Sequence, residues 1–460
     1  MQNISLEKLK KVHFIGIGGI SMSALAEILI TKGIFVSGSD AKESELTVRL
    51  VSLGAKIIYG QSAENITSDI DLIVYTAAIH SDNPELLAAQ SLNIPTMVRA
   101  DFLGLIMKEY KNAINIAGTH GKTTTTSMVS HILMEGNCDP TILVGGIIPS
   151  IGGNLRIGHS ENFVNESCEY TNSFLSFFPT TAVILNVEED HLDFFKDIDD
   201  IRNSFKKFAM LVPDHGYVII NSDIDKPEYF TSDLSCHVVT FGSDPEKSDY
   251  SAENIEYNEK GCCHYTLLKH GKKITEIQLS VPGLHNVYNS LAAAVVGFSM
   301  NLSIDVIKNG LFSYTGTNRR FQYKGEVNGI TIIDDYAHHP DEIAATLKTA
   351  ENYPHKELWV ILQPHTYSRL KALFDRFVEA LSSVPHLILA DIYAARETDT
   401  LGMSSELLAE ELKKHGTDVH YFSDFKSIEE FVKNNCVHGD LLITMGAGNV
   451  VNIGEDLLVK

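Results

Sequence analysis

Short apolar runs that end at glycines, each followed by apolar residues at helical spacing, recur along this chain. Lys11-Val-His-Phe-Ile15 runs into Gly16-Ile-Gly18-Gly19, and residues 22–30 continue with apolar positions three and four apart before Val36-Ser-Gly-Ser-Asp40. A strand, a turn and a helix in that order predict a β-α-β opening. Residues 56–59 and 72–75 read as further strands, and Asn83-Pro84 starts a helix carrying Leu86, Leu87 and Ala89. A second unit begins near Asn112, where the apolar stretch 113–117 leads into Gly118-Thr-His-Gly-Lys-Thr123 and then a helical stretch over 124–134. Strands at 182–186 and 217–221 alternate with a helix over 199–211, shorter alternating strands fill 236–279, and an alanine-rich helix over 284–297 closes the unit. From Arg319 the pattern restarts, with strands at 331–334, 358–362, 387–390 and 441–445 and helices between them. The economical architecture is α/β, with parallel sheets flanked by helices.

Length turns this pattern into a domain count. A chain of 460 residues is longer than one hydrophobic core usually serves, and the three units give expected domains of 1–110, 111–318 and 319–460. Charge then narrows the partners. The 37 lysines and arginines against 59 aspartates and glutamates leave a net charge of −22, which repels polyanions at long range, so neither nucleic acid nor an anionic membrane is an expected partner. Small phosphorylated ligands stay open, because local N–H groups and single cations hold them. The six cysteines show no CxxC spacing, the first residues lack a signal-peptide pattern, and no apolar run approaches the roughly 20 residues of a membrane span. A cytoplasmic protein without membrane insertion is expected.

The strongest local signal is Gly118-Thr119-His120-Gly121-Lys122-Thr123, between a strand and a helix, where backbone N–H groups and a helix start can cradle phosphates. Lys122 would meet the terminal phosphates and Thr123 would offer its hydroxyl to magnesium. The strict phosphate-loop pattern wants glycine where Ile116 stands, and a plain glycine turn capped by threonines is the alternative. Gly16-Ile-Gly18-Gly19, with Asp40 about 20 residues on, resembles a dinucleotide fingerprint whose third position falls on Ser21; the same N–H geometry serves any nucleotide diphosphate. Glu166-Ser-Cys-Glu169 and Glu188-Glu-Asp-His191-Leu-Asp193 place carboxylates and an imidazole at strand ends, a donor set suited to magnesium, against the alternative of a solvated acidic loop. Three later clusters are dense in polar chemistry: His285-Asn286-Val-Tyr-Asn289, Arg319-Arg320-Phe321 and Asp334-Asp335-Tyr336-Ala-His338-His339-Pro340. Amides at a helix start can read a purine edge, and the arginines offer planar cations to a terminal phosphate. The paired histidines lack a third ligand at zinc spacing. His365 and Arg369 add a polar edge after another strand.

Taken in order, Gly16-Ile-Gly-Gly-Ile-Ser-Met22, Gly118-Thr-His-Gly-Lys-Thr-Thr-Thr-Thr126, Asn186-Val-Glu-Glu-Asp-His-Leu-Asp193, Gly283-Leu-His-Asn286, Arg319-Arg-Phe-Gln322, Asp334-Asp-Tyr-Ala-His-His-Pro340 and Asp391-Ile-Tyr-Ala-Ala-Arg-Glu397 resemble the motifs of the Mur ligases over nearly the whole chain. The four threonines, the Met22 segment and the Asp-Asp-Tyr-x-His-His-Pro string resemble the member that adds L-alanine more than those that add D-glutamate or a diamino acid. The resemblance implies a Rossmann-like N-terminal domain for a UDP-sugar, a central phosphate-loop ATPase domain, and a Rossmann-like C-terminal domain that swings in with the amino acid. It implies UDP-N-acetylmuramate and L-alanine as substrates, with ATP and Mg2+. Peptidoglycan precursor synthesis is the implied process.

By the same resemblance, Gly118, Thr119, His120, Gly121, Lys122, Thr123 and Thr124 serve ATP, Asn286 and Asn289 hold adenine, Arg320 reaches the terminal phosphate and Asp335 takes the ribose. Thr123, Glu169 and His191 hold magnesium. Gly16, Gly18, Gly19, Asp40, His339, His365 and Arg369 bind substrate, and Lys122, Arg320 and His338 are the catalytic candidates. The chain departs from the family at Cys168-Glu-Tyr-Thr171, where many relatives carry Asp-Glu-Ser-Asp, and at Thr366, where an arginine is frequent. The rivals are a ligase joining a tripeptide to the same sugar nucleotide, an NAD-dependent oxidoreductase built on the first glycine motif, and a non-catalytic nucleotide-binding regulator. The oxidoreductase leaves residues 118–123 without a role.

Overall fold

The computed structural model describes residues 4–459 apart from Ala77, Asp193 and Arg396, so Asp193 and Arg396 of the motifs above lie outside the described residues. Strands β1 (Lys11–Ile15), β2 (Phe35–Asp40), β3 (Lys56–Tyr59), β4 (Leu72–Tyr75) and β5 (Thr96–Val98) form a parallel sheet in the order β3-β2-β1-β4-β5. The turn after β1 enters the helix Ile20–Thr31 at the point where strand order reverses, which is where open α/β sheets collect ligands.

The second sheet holds β6 (Asn112–Ala117), β7 (Thr141–Ile148), β8 (Gly153–Arg156), β9 (Asn162–Glu166), β10 (Thr181–Ile184), β11 (Tyr217–Asn221), β12 (His237–Gly242), β13 (Tyr250–Tyr257), β14 (Cys262–Lys269) and β15 (Lys272–Pro282). Their order is β15-β14-β13-β12-β11-β10-β6-β9-β7-β8, with β6 flanked in parallel by β9 and β10. The acidic strings that follow β9 and β10 are thereby delivered to the same edge as the loop 118–121. The third sheet, β16 (Gln322–Val327), β17 (Ile330–Asp335), β18 (Leu358–Leu362), β19 (His386–Leu389), β20 (Val419–Tyr421) and β21 (Leu441–Met445), runs β16-β17-β21-β18-β19-β20 and is parallel except at β16. The sequence pattern marked neither β7 nor the edge strands β5, β8, β16 and β20. β7 carries Gly145-Gly146 in its second half, and three-residue edge strands are too short to show alternation.

The helix Arg99–Met107 joins the first two sheets through one continuous apolar core, in which Phe102, Leu103, Ile106 and Met107 pack with Phe163, Phe174 and Phe177. The third sheet has cores of its own on its two faces. Gly104 in that joining helix lies against the Ser176 backbone so closely that any Cβ would collide with the Ser176 carbonyl oxygen. Gly104→Ala should therefore cost about 1–3 kcal/mol through overpacking, read as a lower urea midpoint at unchanged slope. An unaltered midpoint would mean that the two units are not rigidly packed there.

Candidate active site

The loop between β6 and the helix Lys122–Glu135 is shaped by its glycines and by Asn186. Gly121 sits in the left-handed region at φ +82, and a Cβ there would meet the Asn289 amide oxygen. The N–H groups of Thr119 and His120 donate to Asn186, to its backbone oxygen at 3.3 Å and its side-chain oxygen at 2.7 Å. Two of the loop's N–H groups are thus spent inside the protein. The donors left are at the helix start, where the first N–H groups have no intrahelical acceptor.

Lys122 is buried, and its ammonium donates to the Thr119 carbonyl at 3.0 Å and to Glu169 at 3.0 Å. Burial pulls its pKa down, but Glu169 outweighs that and the lysine ends above its ordinary value. The Thr123 hydroxyl donates to Glu166 at 2.9 Å, and the same carboxylate oxygen accepts the Gly145 N–H at 2.7 Å. Glu166 is one of the strand-end carboxylates expected near a magnesium ion, and its position at the end of β9, beside β6, brings it to the loop. His191 approaches Glu169 at 3.9 Å, and burial lowers its pKa, so the ring is neutral and free to donate a lone pair. A buried carboxylate, a neutral imidazole and a hydroxyl at one sheet edge suit magnesium, which takes oxygen ligands and keeps several waters.

A cavity of about 330 Å³ opens beside this loop, between the second and third sheets. His120, Gly121, Thr124, Asn286, Asn289, Arg320 and Asp335 line it, whereas Gly118, Thr119, Lys122 and Thr123 stand off its wall, with Lys122 and Thr123 bonded to Glu169 and Glu166. Only one of the paired arginines faces it. Arg319 is tied to Asp334 at 3.0 Å and to the Gly446 carbonyl at 2.7 Å, so it shapes the turn. Asp335 accepts the Phe321 and Ala337 N–H groups at 2.8 Å each, and burial raises its carboxyl to about 6.

Charged contacts cross from the second sheet to the third. His120 lies between Glu188, at 3.1 Å, and Glu342, at 3.2 Å. Glu342 stands at the third position of the helix Pro340–Glu351, accepts the His338 N–H and lies 3.9 Å from Arg320; the His-Pro-Asp-Glu spacing of a capping box was its sequence signal. Arg369 pairs with Asp190 at 3.0 Å and lies 3.0 Å from the His365 ring. His338 packs against His365, and burial lowers its pKa to about 4. His339 is buried at this seam and points its Nε2 at the Glu189 carbonyl, 3.1 Å away.

Among the described residues, the group with metal-ligand spacing is His120, His339 and Asp341, which takes in one of the paired histidines and leaves His338 out. Asp341 is nonetheless held by Arg376 at 2.6 Å and His120 by its two glutamates, which makes this cluster an ion-paired seam. A second, smaller cavity of about 120 Å³ lies at the seam, lined by Asp190, His191, Leu192, Thr366, Ser368, Arg369, Ala372 and Leu373. On the first sheet, the turn 16–19 is closed by Asp40, whose carboxylate accepts the Gly18 N–H at 2.7 Å. That bond occupies the acid which a nicotinamide ribose would need.

Three open sheets with a phosphate-loop edge in the middle one define a class that the comparisons identify. The Mur ligase family, catalytic domain, matches residues 11–111, the Mur ligase middle domain residues 116–297, and the Mur ligase glutamate ligase domain residues 319–448. The chain belongs to the Mur ligase family. It is 60% identical, over all of both chains, to the UDP-N-acetylmuramate–L-alanine ligase of Lachnospira eligens, and 56% identical, again over all of both, to that of Lachnoclostridium phytofermentans. The crystal structure of the UDP-N-acetylmuramate-alanine ligase of Thermotoga maritima superposes with a TM-score of 0.81 at 29% identity, covering 98% of each chain.

The seam has a pH signature. Burial alone would lower the His120 pKa, but the close carboxylates of Glu188 and Glu342 outweigh it and hold the folded value at about 10, against 6.5 for a free side chain. The stabilisation is therefore fully present below about pH 6.5 and is lost as pH rises through about 10. Urea denaturation between pH 6 and 10 should show stability falling across this window, and Glu342→Gln should flatten the fall. A Glu342→Gln variant with the wild-type pH profile would show that this contact carries none of it.

Proposed function

We propose that this chain joins L-alanine to the lactyl carboxylate of UDP-N-acetylmuramate at the expense of ATP, releasing UDP-N-acetylmuramoyl-L-alanine, ADP and phosphate. The observation that carries the reading is the buried Lys122 at the start of the loop helix, beside a cavity shared by the middle and C-terminal domains. In that cavity Asn286 and Asn289 hold the adenine, Asp335 the ribose, and Arg320 the terminal phosphate, while Gly118 to Thr124 form the phosphate seat. The turn at Gly16, Gly18 and Gly19, braced by Asp40, takes the UDP diphosphate. An uncapped helix start and a tight glycine turn are suited to diphosphates.

The smaller cavity supports a small acceptor. At about 120 Å³ it lies well below the roughly 300 Å³ at which pockets for larger ligands begin, so a tripeptide would not be enclosed. Arg369 with His365 would meet the amino acid's carboxylate there, and His339 braces the seam. Transfer of the terminal phosphoryl group to the lactyl carboxylate breaks the bond to ADP and gives an acyl phosphate, which the alanine amine attacks before phosphate leaves. Lys122 and Arg320 neutralise charge on the transferring group, which is usually the largest catalytic contribution. His338, neutral with a pKa near 4, hydrogen-bonds the incoming amine more readily than it removes a proton. Thr123, Glu169 and His191 would hold magnesium, which would neutralise phosphate charge. Among the described residues no helix is long and apolar enough to cross a membrane, and the six cysteines are free thiols, which supports a cytoplasmic enzyme.

The test is product analysis by mass spectrometry with UDP-N-acetylmuramate, ATP and, separately, L-alanine, glycine, L-serine and a tripeptide. Product is expected with L-alanine; preferential tripeptide transfer would overturn the acceptor assignment. Lys122→Ala should lower turnover at least ~1,000-fold, in line with loss of a principal charge-stabilising contact, while UDP-N-acetylmuramate binding stays within twofold. Near-normal phosphate release by the folded variant would remove Lys122 from the chemistry. Glu169→Gln should shift the magnesium dependence of the rate to higher concentration at saturating ATP. Superimposable curves would place the metal elsewhere.

A further inference from the structure

Arg99 follows β5 directly, at the carboxyl edge of the first sheet, the edge that also carries the turn 16–19. Its Nη1 donates to the Ser21 hydroxyl at 3.0 Å, in the first turn of the helix Ile20–Thr31. The neighbouring titratable group, across the boundary with the middle domain, is Cys168, the residue before Glu169. Among the described residues no carboxylate lies within ion-pair distance of Arg99. Three other cations of the site differ: Lys122 has Glu169, Arg319 has Asp334 and Arg369 has Asp190, each at 3.0 Å. Desolvation accordingly draws the Arg99 guanidinium below its ordinary pKa. A desolvated, unpaired cation costs stability, and such a cost is a mark of sites whose counter-charge is a ligand.

We propose that Arg99 receives the lactyl carboxylate of the nucleotide-sugar at the boundary between the first two domains; this rests on the ligase reading above. Two oxyanions of that substrate are candidates, and position favours the carboxylate. The diphosphate is served by the first N–H groups of the helix Ile20–Thr31, which has no side-chain cap, since those of the turn 16–19 are bonded to Ser39, Asp40 and Gly16. The carboxylate has to reach the terminal phosphate of ATP at a sheet edge crowded with Glu166, Glu169 and Glu188, all of which repel it. Arg99 bridges that distance in chemical terms, with Ser21 of the sugar-binding domain on one side and the residue preceding Glu169 on the other. A guanidinium holds a carboxylate through two parallel N–H···O bonds and leaves a lone pair on each oxygen for attack on phosphorus. No proton moves; the P–O bond to ADP breaks as the acyl–phosphate bond forms.

Calorimetric titration of the full chain without ATP separates the two oxyanions. UDP-N-acetylmuramate carries both, and UDP-N-acetylglucosamine carries the diphosphate alone. Arg99→Gln should weaken binding of the first by ~10–100-fold, the span of a charge-assisted hydrogen-bond pair, and leave the second within twofold, which also reports an intact sugar-binding domain. Arg99→Lys, which keeps the charge without the fork, should show an intermediate loss confined to the first ligand. Equal weakening of both ligands would assign Arg99 to the diphosphate and overturn the proposal, as would no weakening of either. Wild-type turnover with L-alanine is measured alongside, and its absence would count against the ligase reading independently of Arg99.

Discussion

The contact on which the rest of the site depends is the buried pair between Lys122 and Glu169. Glu169 is 2% exposed, and Lys122 sits at the first position of a helix among carbonyl oxygens, so each is the other's principal counter-charge. Removing one partner of such a pair strands a buried charge at a cost of about 3–5 kcal/mol. The pair also explains the order of the second sheet. β9 has to lie beside β6 for Glu169 to reach the loop, and β10 on the other side for Asn186 to pin the Thr119 and His120 backbone. The loop is held in shape by contacts within the protein.

The domain boundaries differ in kind. The first two domains share one apolar core through the helix Arg99–Met107, whereas the third meets the second through His120 with Glu342, Arg369 with Asp190, and His339 with a carbonyl. Apolar contact is short-ranged and has no alternative partner once broken, while each group at the polar seam can be re-paired by water or by a substrate anion. The third domain is therefore the one that can part from the others at low cost. Both cavities lie on its boundary with the second domain.

Much of this was legible in the sequence because glycine loops and strand-end acids obey local rules. The strands preceding Gly16 and Gly118 stand where the apolar runs ended, and the third unit restarts after Arg319. The strand β7, with glycines at Gly145 and Gly146, carried no alternation to read, yet Gly145 allows Glu166 to approach the backbone and Gly146 leaves room for Thr123 and Thr317. Which member of a pair faces the cavity was not legible either. Arg319 and Arg320 are identical in type, and only a positive φ at Arg319, φ +65, turns its side chain to Asp334. Glu342 shows the converse: a helix-capping residue by its spacing, it also joins His120, His338 and Arg320 because two domains meet there.

A net charge of −22 is at first sight a poor match for two nucleotide substrates. The difficulty resolves at short range. Lys122, Arg369 and, less tightly, Arg320 are desolvated and held by Glu169, Asp190 and Glu342. Part of the surplus of acids thus does structural work, since Glu169, Asp190 and Glu342 each fix a cation that would otherwise be mobile and hydrated. Preorganised cations in a dry cleft act on a phosphate with a strength that solvated surface lysines lack. The long-range repulsion is screened at physiological ionic strength beyond about 8 Å, so it slows encounter modestly while leaving the bound state to these few contacts.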